Sequence, residues 1–122
     1  MKRKKISDPA VEFILSRSVE ELKRLTGVEI AGSIGINSKS LERMFKIEQR
    51  ISLQAFILRE KIHRAFSILT VENKKPIVEI AKEFGFRSVE EFSAEFEKQF
   101  AIAPRKYRDL KKPQGFSNKR TP

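Results

Sequence analysis

Residues 29–36 have the sequence Glu-Ile-Ala-Gly-Ser-Ile-Gly-Ile, and residues 79–86 have the related sequence Glu-Ile-Ala-Lys-Glu-Phe-Gly-Phe. A motif that returns once in a chain of 122 residues indicates two copies of one supersecondary unit. In each copy the apolar residues recur at helical spacing, and the Ala leaves room for another helix to cross closely. The Gly suits the left-handed position that ends a helix, with the next apolar residue packed under the turn. Each copy is therefore predicted to form a helix, a tight turn and a second helix, which is helix-turn-helix geometry.

The rest of the chain predicts an all-α fold of about seven helices, because helical periodicity recurs and strand signals are absent. The first helix is expected over about 9–25, where a capping box at Ser18 allows a break near 17–18 and Thr26-Gly27 closes the segment. Further helices are expected over about 28–34, from Asn37 or Ser38 onward, and over 52–70, 77–84, 88–100 and 104–110.

These elements predict two three-helix helix-turn-helix subdomains, over residues 8–51 and 72–110, joined by a linker helix over 52–71. With a rise of about 1.5 Å per residue, that helix would be about 27 Å long. Residues 1–7 are predicted to be a basic disordered arm, and residues 111–122 a basic disordered tail.

The net charge of +10, from 26 Lys and Arg against 16 Asp and Glu, suggests a polyanionic partner. Its distribution is uneven. Four bases lie in residues 2–5 and four more in residues 111–120, while all 16 acids lie between them with the other 18 bases. The predicted folded part therefore carries only +2. A protein with this composition and no apolar run of about 20 residues is expected to be cytoplasmic and not bound to a membrane.

Catalysis and metal binding are not expected from these residues. The chain has no Cys, and His63 is its one His, so neither a thiolate site nor a histidine cluster can form. No Gly-rich phosphate loop is present, and no carboxylate pair has the apolar flanks that would tune its pKa values. We therefore expect no cofactor and no enzyme activity.

The second half of the chain resembles the signature of AraC/XylS-type transcription regulators. The residues that carry this resemblance are Ile77-x-x-Ile80-Ala81-x-x-Phe84-Gly85-Phe86-x-Ser88-x-x-x-Phe92-x-x-x-Phe96-x-x-x-Phe100-x-x-x-Pro104-x-x-Tyr107-Arg108. The first half agrees through Gly35-Ile36-x-x-x-x-Leu41-x-Arg43-Met44-Phe45-Lys46, followed by Phe56 and residues 65–69. The resemblance covers about residues 19–110. It implies two helix-turn-helix units on a rigid linker helix, which in that family can enter successive major grooves on one face of DNA. Neighbouring grooves lie about 34 Å apart, a distance that suits the expected linker helix together with the widths of the two small units.

The second helices of the two units differ in charge. Alignment on Phe45 and Phe96 places three pairs of residues opposite each other: Lys39 and Glu90, Arg43 and Ala94, Lys46 and Glu97. The first members are spaced i, i+4, i+7 and share one face, away from the core. Lys and Arg are the usual partners of guanine O6 and N7 and of phosphates. The resemblance also implies that Arg43 is the DNA-contacting Arg of the family.

On the second helix the same face carries two acids and an Ala, where the family usually has Arg in place of Ala94 and Lys in place of Glu97. Residues 35–64 carry +4, whereas residues 76–100 carry −3. Phosphate repulsion would oppose binding by such a helix, although a single Glu can accept a hydrogen bond from cytosine N4. We therefore predict that the first unit supplies most of the affinity for DNA.

The predicted function is sequence-specific binding of double-stranded DNA by a transcription regulator associated with the bacterial nucleoid. The alternative is a protein-interaction module that docks on RNA polymerase or another regulator through its acidic second helix; RNA binding is a weaker third option. As an isolated domain the chain is expected to be a monomer, either a stand-alone regulator or the DNA-binding fragment of a longer one. The candidate DNA-contacting residues are Asn37, Ser38, Lys39, Ser40, Glu42, Arg43, Lys46, Arg87, Ser88 and Glu90.

Overall fold

A computed structural model of the chain describes residues 5–71 and 74–111. Within those residues it forms eight α-helices and no strand, which confirms the all-α prediction. Their bounds are α1 Asp8–Leu15, α2 Val19–Arg24, α3 Gly27–Ile34, α4 Ser38–Gln49, α5 Leu53–Val71, α6 Ile77–Glu83, α7 Val89–Phe100 and α8 Pro104–Leu110. The described residues have eight helices instead of about seven because the helix expected over 9–25 is divided in two.

Two capping boxes start α2 and α3. The Ser18 hydroxyl accepts a hydrogen bond from the Glu21 N–H at 3.1 Å, and the Glu21 carboxylate accepts one from the Ser18 N–H at 2.9 Å. Thr26 and Glu29 exchange the same pair of bonds at the start of α3. Such reciprocal bonds satisfy backbone donors that have no partner within the helix. Thr26 lies where the preceding helix was expected to close, since α2 ends at Arg24, and it also caps α3, whose first residue, Gly27, is one residue before the predicted start.

The repeated octet forms the same turn in both copies. Gly35 and Gly85 have φ angles of 77° and 85°, in the left-handed region that a side chain disfavours. The residue after each Gly donates its N–H at 3.0 Å, to the carbonyl of Ala31 in the first copy and of Ala81 in the second. The second turn is one residue longer, because Arg87 precedes the residue that caps α7.

The chain divides into two compact units, Met1–Lys61 and Ile62–Pro122, and the division falls inside α5. In the first unit α3 packs on α1 and α4, and in the second α7 packs on α6 and α8. The buried apolar residues of the first unit are Ala10, Ile14, Leu22, Ile30, Ala31, Leu41, Phe45, Leu53, Phe56 and Ile57. Those of the second are Ile62, Ala65, Leu69, Ile80, Ala81, Phe84, Phe86, Phe92 and Phe96.

Residues 5–7, which the sequence places in the basic arm, contact the last turn of α4. Ser7 is fully buried, and its N–H donates to Glu48 Oε1 at 2.8 Å. The Ile6 N–H donates to Glu48 Oε2 at 3.3 Å, and Gln49 Nε2 donates to Ser7 Oγ at 2.9 Å. Residues 1–4 of the predicted arm and 112–122 of the predicted tail lie outside the described residues, and the proposed segment boundaries stay predictions.

Candidate nucleic-acid interface

The second helix of the first unit, α4, is amphipathic and begins at a side-chain cap. Its inner side buries Leu41 and Phe45 completely. Asn37 is the cap, and its Oδ1 accepts the N–H groups of Lys39 at 2.9 Å and Ser40 at 3.1 Å. The side-chain oxygen of Asn37 is therefore already hydrogen-bonded within the protein, while the side-chain NH₂ group still offers two donors for a ligand.

A cationic face, formed by Lys39, Arg43 and Lys46, lies on the outer side of α4. All three residues are exposed. Within residues 5–71 and 74–111, no carboxylate forms an ion pair with any of them. Ser38 and Ser40 are half-buried in the first turn of the helix. The cationic face therefore presents charges and N–H donors that protein acids leave unneutralised, as contact with bases and phosphates requires.

Glu42, another of the candidate DNA-contacting residues, lies close to a residue of α3. It is exposed, and its Oε2 lies against Gly27, where an added methyl group would come within 3.3 Å of it. Gly27 is the first residue of α3, at the end of that helix where the peptide dipoles favour a negative charge. Glu42 is thus placed beside the start of α3.

The start of α7 in the second unit carries an internal charge pair. Ser88 is the cap, and its Oγ accepts the Glu91 N–H at 3.0 Å. The Arg87 N–H donates to Glu91 Oε1 at 2.8 Å, and the Arg87 guanidinium lies 3.8 Å from Glu91 Oε2. The Arg87 side chain is nevertheless 92% exposed, so it can still reach a phosphate, but with Glu91 beside it.

The outer side of α7 is acidic where that of α4 is basic. Glu90, Ala94 and Glu97 are exposed, and no cation in the described part of the chain pairs with either Glu. Nearby, Lys98 Nζ lies 3.7 Å from Glu95 Oε2, which offsets the single positive charge that α7 carries. The opposite charges of the two helices, deduced from the sequence, therefore lie on exposed surface.

Arg108, the last residue of the sequence signature in the second half of the chain, makes hydrogen bonds within the protein. Its Nε donates to the Leu69 carbonyl at 3.0 Å, and its Nη1 donates to the Lys75 carbonyl at 2.6 Å. Both bonds are part-buried and connect α8 to the end of α5 and to the segment before α6. Arg108 therefore holds the second unit together.

One exposed cation next to the cationic face was absent from the residues selected from the sequence. Arg50 follows the last residue of α4 and is four residues beyond Lys46. Four residues also separate Lys39 from Arg43, so the run of cations along the sequence is the signal that could have found Arg50.

None of the helices formed by residues 5–71 and 74–111 is long and apolar enough to cross a membrane. The same residues contain no group of three or more His, Asp or Glu side chains placed to hold a metal ion.

Comparison with known proteins identifies the family. A family model described as a helix-turn-helix domain matches residues 30–110. The xylose operon regulatory protein of Escherichia coli K12 is 29% identical over 109 residues, which cover 86% of this chain but only 27% of that protein. The multiple antibiotic resistance protein MarA of Salmonella typhimurium is 28% identical over 109 residues, covering 88% of this chain and 85% of MarA.

A solved structure is similar over most of the chain. The transcriptional regulator from Chromobacterium violaceum, of the AraC-type DNA-binding-domain class, superposes with a TM-score of 0.75 and 29% identity, covering 88% of this chain and 92% of that one. The proteins from Escherichia coli and Chromobacterium violaceum are named as regulators, and regulators of this class are not enzymes. The repeated helix-turn-helix units, the matching family model and these relatives together show that the chain belongs to the AraC/XylS-type helix-turn-helix family of DNA-binding transcription regulators.

Proposed function

We propose that this chain binds specific sequences in double-stranded DNA as part of a transcription regulator, and that the cationic face of α4 reads the major groove. The observation that carries the proposal is the exposure of Lys39, Arg43 and Lys46 on one side of a capped helix, with no protein carboxylate paired to them in the described residues. A helix fits the major groove, where Arg and Lys bind guanine O6 and N7. Arg43, at the centre of the face, is the proposed base-reading residue, and Lys46 the proposed phosphate contact.

We further propose that the second unit contributes less to DNA binding. The exposed acids Glu90 and Glu97 on α7 would approach phosphates of the same sign, which opposes binding. Arg87 and Ser88 are the residues of this unit best placed for a backbone contact, but the Ser88 hydroxyl caps α7 and Arg87 is paired with Glu91. The acidic side of α7 then either lies near DNA without adding affinity or faces a protein such as RNA polymerase or another regulator.

Paired substitutions test this asymmetry. Arg43→Ala should weaken binding of a selected DNA site by about 1–3 kcal/mol if Arg43 reads a base. Lys23→Ala, which removes an exposed cation from α2, is the matched control and should change affinity much less. Glu90→Ala and Glu97→Ala should leave affinity unchanged or raise it. Fluorescence anisotropy at one fixed salt concentration measures all four variants, and an equal loss from Arg43→Ala and from the two Glu variants would disprove the asymmetry.

The DNA sites selected from a random pool provide an independent test. A single conserved half-site would indicate that one unit reads bases, whereas two half-sites about 10 base pairs apart would indicate both. The salt dependence separates DNA binding from the alternative of a protein-docking module. Specific DNA binding predicts that log K falls with log salt by about 0.9 per phosphate neutralised, and a shallow slope would favour the docking module.

The remaining functional statements concern the whole regulator and are proposals as well. The chain spans 27% of the length of the xylose operon regulatory protein, so the signal that such a regulator senses is not implied for this chain. We propose that the described units bind DNA as a monomer, and that DNA binding associates the protein with the bacterial nucleoid. Sedimentation of the free and DNA-bound protein tests the monomer, since a dimer would double the bound mass.

A further inference from the structure

Arg50 occupies a backbone conformation that is unfavourable for any residue with a side chain. It follows the last residue of α4 with φ 65° and ψ 19°, in the left-handed region, and its N–H donates to the Lys46 carbonyl at 3.0 Å. Gly is the residue that usually ends a helix in this conformation, because it has no Cβ to clash with the backbone. An Arg at this position therefore lowers stability relative to Gly, and its side chain is the feature that could offset that disadvantage.

Arg50 adds an exposed cation at the end of α4, four residues beyond Lys46 in the chain. Arg50 is exposed, and no carboxylate in the described residues forms an ion pair with it. Lys5 lies at the same turn, where its Nζ donates to the Glu48 carbonyl at 3.3 Å. Two cations, Lys5 and Arg50, and the carboxylate of Glu48 thus lie at the end of α4, where the helix dipole is negative and would by itself repel a phosphate.

We propose that Arg50 is a further DNA-binding residue, which contacts a backbone phosphate beside the major groove entered by the cationic face. This inference rests on the proposed function, since it requires α4 to lie on DNA. Phosphates border both edges of the groove and are bound by Arg and Lys without regard to sequence. A helix that reads bases with Lys39 and Arg43 brings its later turns to that border, and Arg50 supplies the charge there.

The second unit contains a natural control for the backbone effect. Ala101 follows the last residue of α7 with φ 61° and ψ 24°, and its N–H donates to the Glu97 carbonyl at 2.7 Å. It is exposed, as Arg50 is, but carries no charge. Replacing either residue by Gly removes the same backbone strain, and only the replacement of Arg50 also removes a cation.

Four variants separate the charge from the backbone: Arg50→Ala, Arg50→Gly, Arg50→Lys and Ala101→Gly. Loss of one phosphate contact should reduce the slope of log K against log salt, the salt slope, by about 0.9. At 0.1 M salt this loss should weaken binding roughly 5–10-fold. Arg50→Ala and Arg50→Gly should both show this loss on specific and non-specific DNA alike, whereas Arg50→Lys and Ala101→Gly should bind like the unaltered protein. Thermal unfolding should then show Arg50→Gly more stable than Arg50→Ala by about 4–8 °C, a shift that Ala101→Gly repeats relative to the unaltered protein.

The proposal is overturned if Arg50→Ala keeps the affinity and salt slope of the unaltered protein, or if Arg50→Lys binds as weakly as Arg50→Ala. In the first case Arg50 serves only to balance the dipole of α4, and in the second its role is not that of a phosphate-binding charge. Arg43→Ala, measured in the same assay, distinguishes these results from failure of the proposed function. If Arg43→Ala also binds normally, α4 does not lie on DNA, and both proposals are wrong.

Discussion

Two glycines of the first octet are expected to respond in opposite directions to the same substitution. Gly32 lies within α3, and Gly35 lies in the turn that follows, with φ 77°. A Cβ added at either position meets no atom within 4 Å beyond its own local backbone. Packing therefore contributes little to either change, and the backbone conformation alone determines the sign.

The expected magnitudes follow from that difference. Gly32→Ala replaces a helical Gly by the best helix former and should stabilise the protein by about 0.5–1 kcal/mol. Gly35→Ala places a Cβ in the left-handed region, which costs about 1–2 kcal/mol, less a smaller gain from restricting the unfolded chain. A net destabilisation of about 1 kcal/mol is expected, so the two variants should differ by roughly 1.5–2 kcal/mol.

Urea unfolding followed by circular dichroism measures this difference from the midpoints of the two variants, provided that the slope of the unfolding free energy against urea concentration is the same in both. Gly35→Asn provides a control, because Asn tolerates the left-handed region better than Ala and should lose less stability. Changes of the same sign for Gly32→Ala and Gly35→Ala would refute the reasoning, since they would show that backbone conformation does not decide the need for Gly in this turn.

Two further predictions concern contacts within each unit. Arg108→Met should destabilise the protein by about 2–3 kcal/mol in thermal unfolding, because it removes two charge-assisted, part-buried hydrogen bonds to backbone carbonyls. As a control, Arg105→Met, at an exposed position of the same helix, should change the stability by less than about 0.5 kcal/mol in the same experiment. Hydrogen bonds from the Ser7 hydroxyl and N–H lower the pKa of Glu48 below its ordinary value of 4.5, with smaller contributions in the same direction from Ile6 and Lys5 and an opposing one from desolvation. The contribution of the Glu48 charge to stability is therefore complete above about pH 4.5 and is lost as the pH falls through the lowered pKa. The difference in unfolding midpoint between the unaltered protein and Glu48→Gln should accordingly be constant near neutral pH and become smaller in acid. A difference that does not change with pH would contradict this role.

Local signals in the sequence were sufficient for most of the fold. The repeated Gly, the capping pair Ser18 and Glu21, and the helical spacing of apolar residues each act within a few residues of the chain. For that reason the start and end of α7, at Val89 and Phe100, lie within one residue of the predicted bounds. Thr26 and Glu29 form a second capping box, which is likewise a local pattern of two residues three positions apart.

The candidate interface could be predicted only in part. Spacing along a helix places Lys39, Arg43 and Lys46 on one face, and their exposure follows from the burial of Leu41 and Phe45 on the other. Spacing does not reveal which acids are neutralised or where a flexible side chain turns. The contact between Glu42 and Gly27 arises because α3 and α4 pack together.

By itself the sequence determined the class of fold, the two helix-turn-helix units and the opposite charges of their second helices, because these depend on composition and on spacings shorter than one helix. The tertiary structure alone decided that Ser7 bonds to Glu48, 41 residues away, and that Arg108 bonds to Leu69, 39 residues away. It also decided that Arg50 and Ala101 adopt the left-handed conformation. Such contacts and conformations depend on how complete helices pack, and no local pattern in the chain encodes the partner that packing brings within hydrogen-bonding distance.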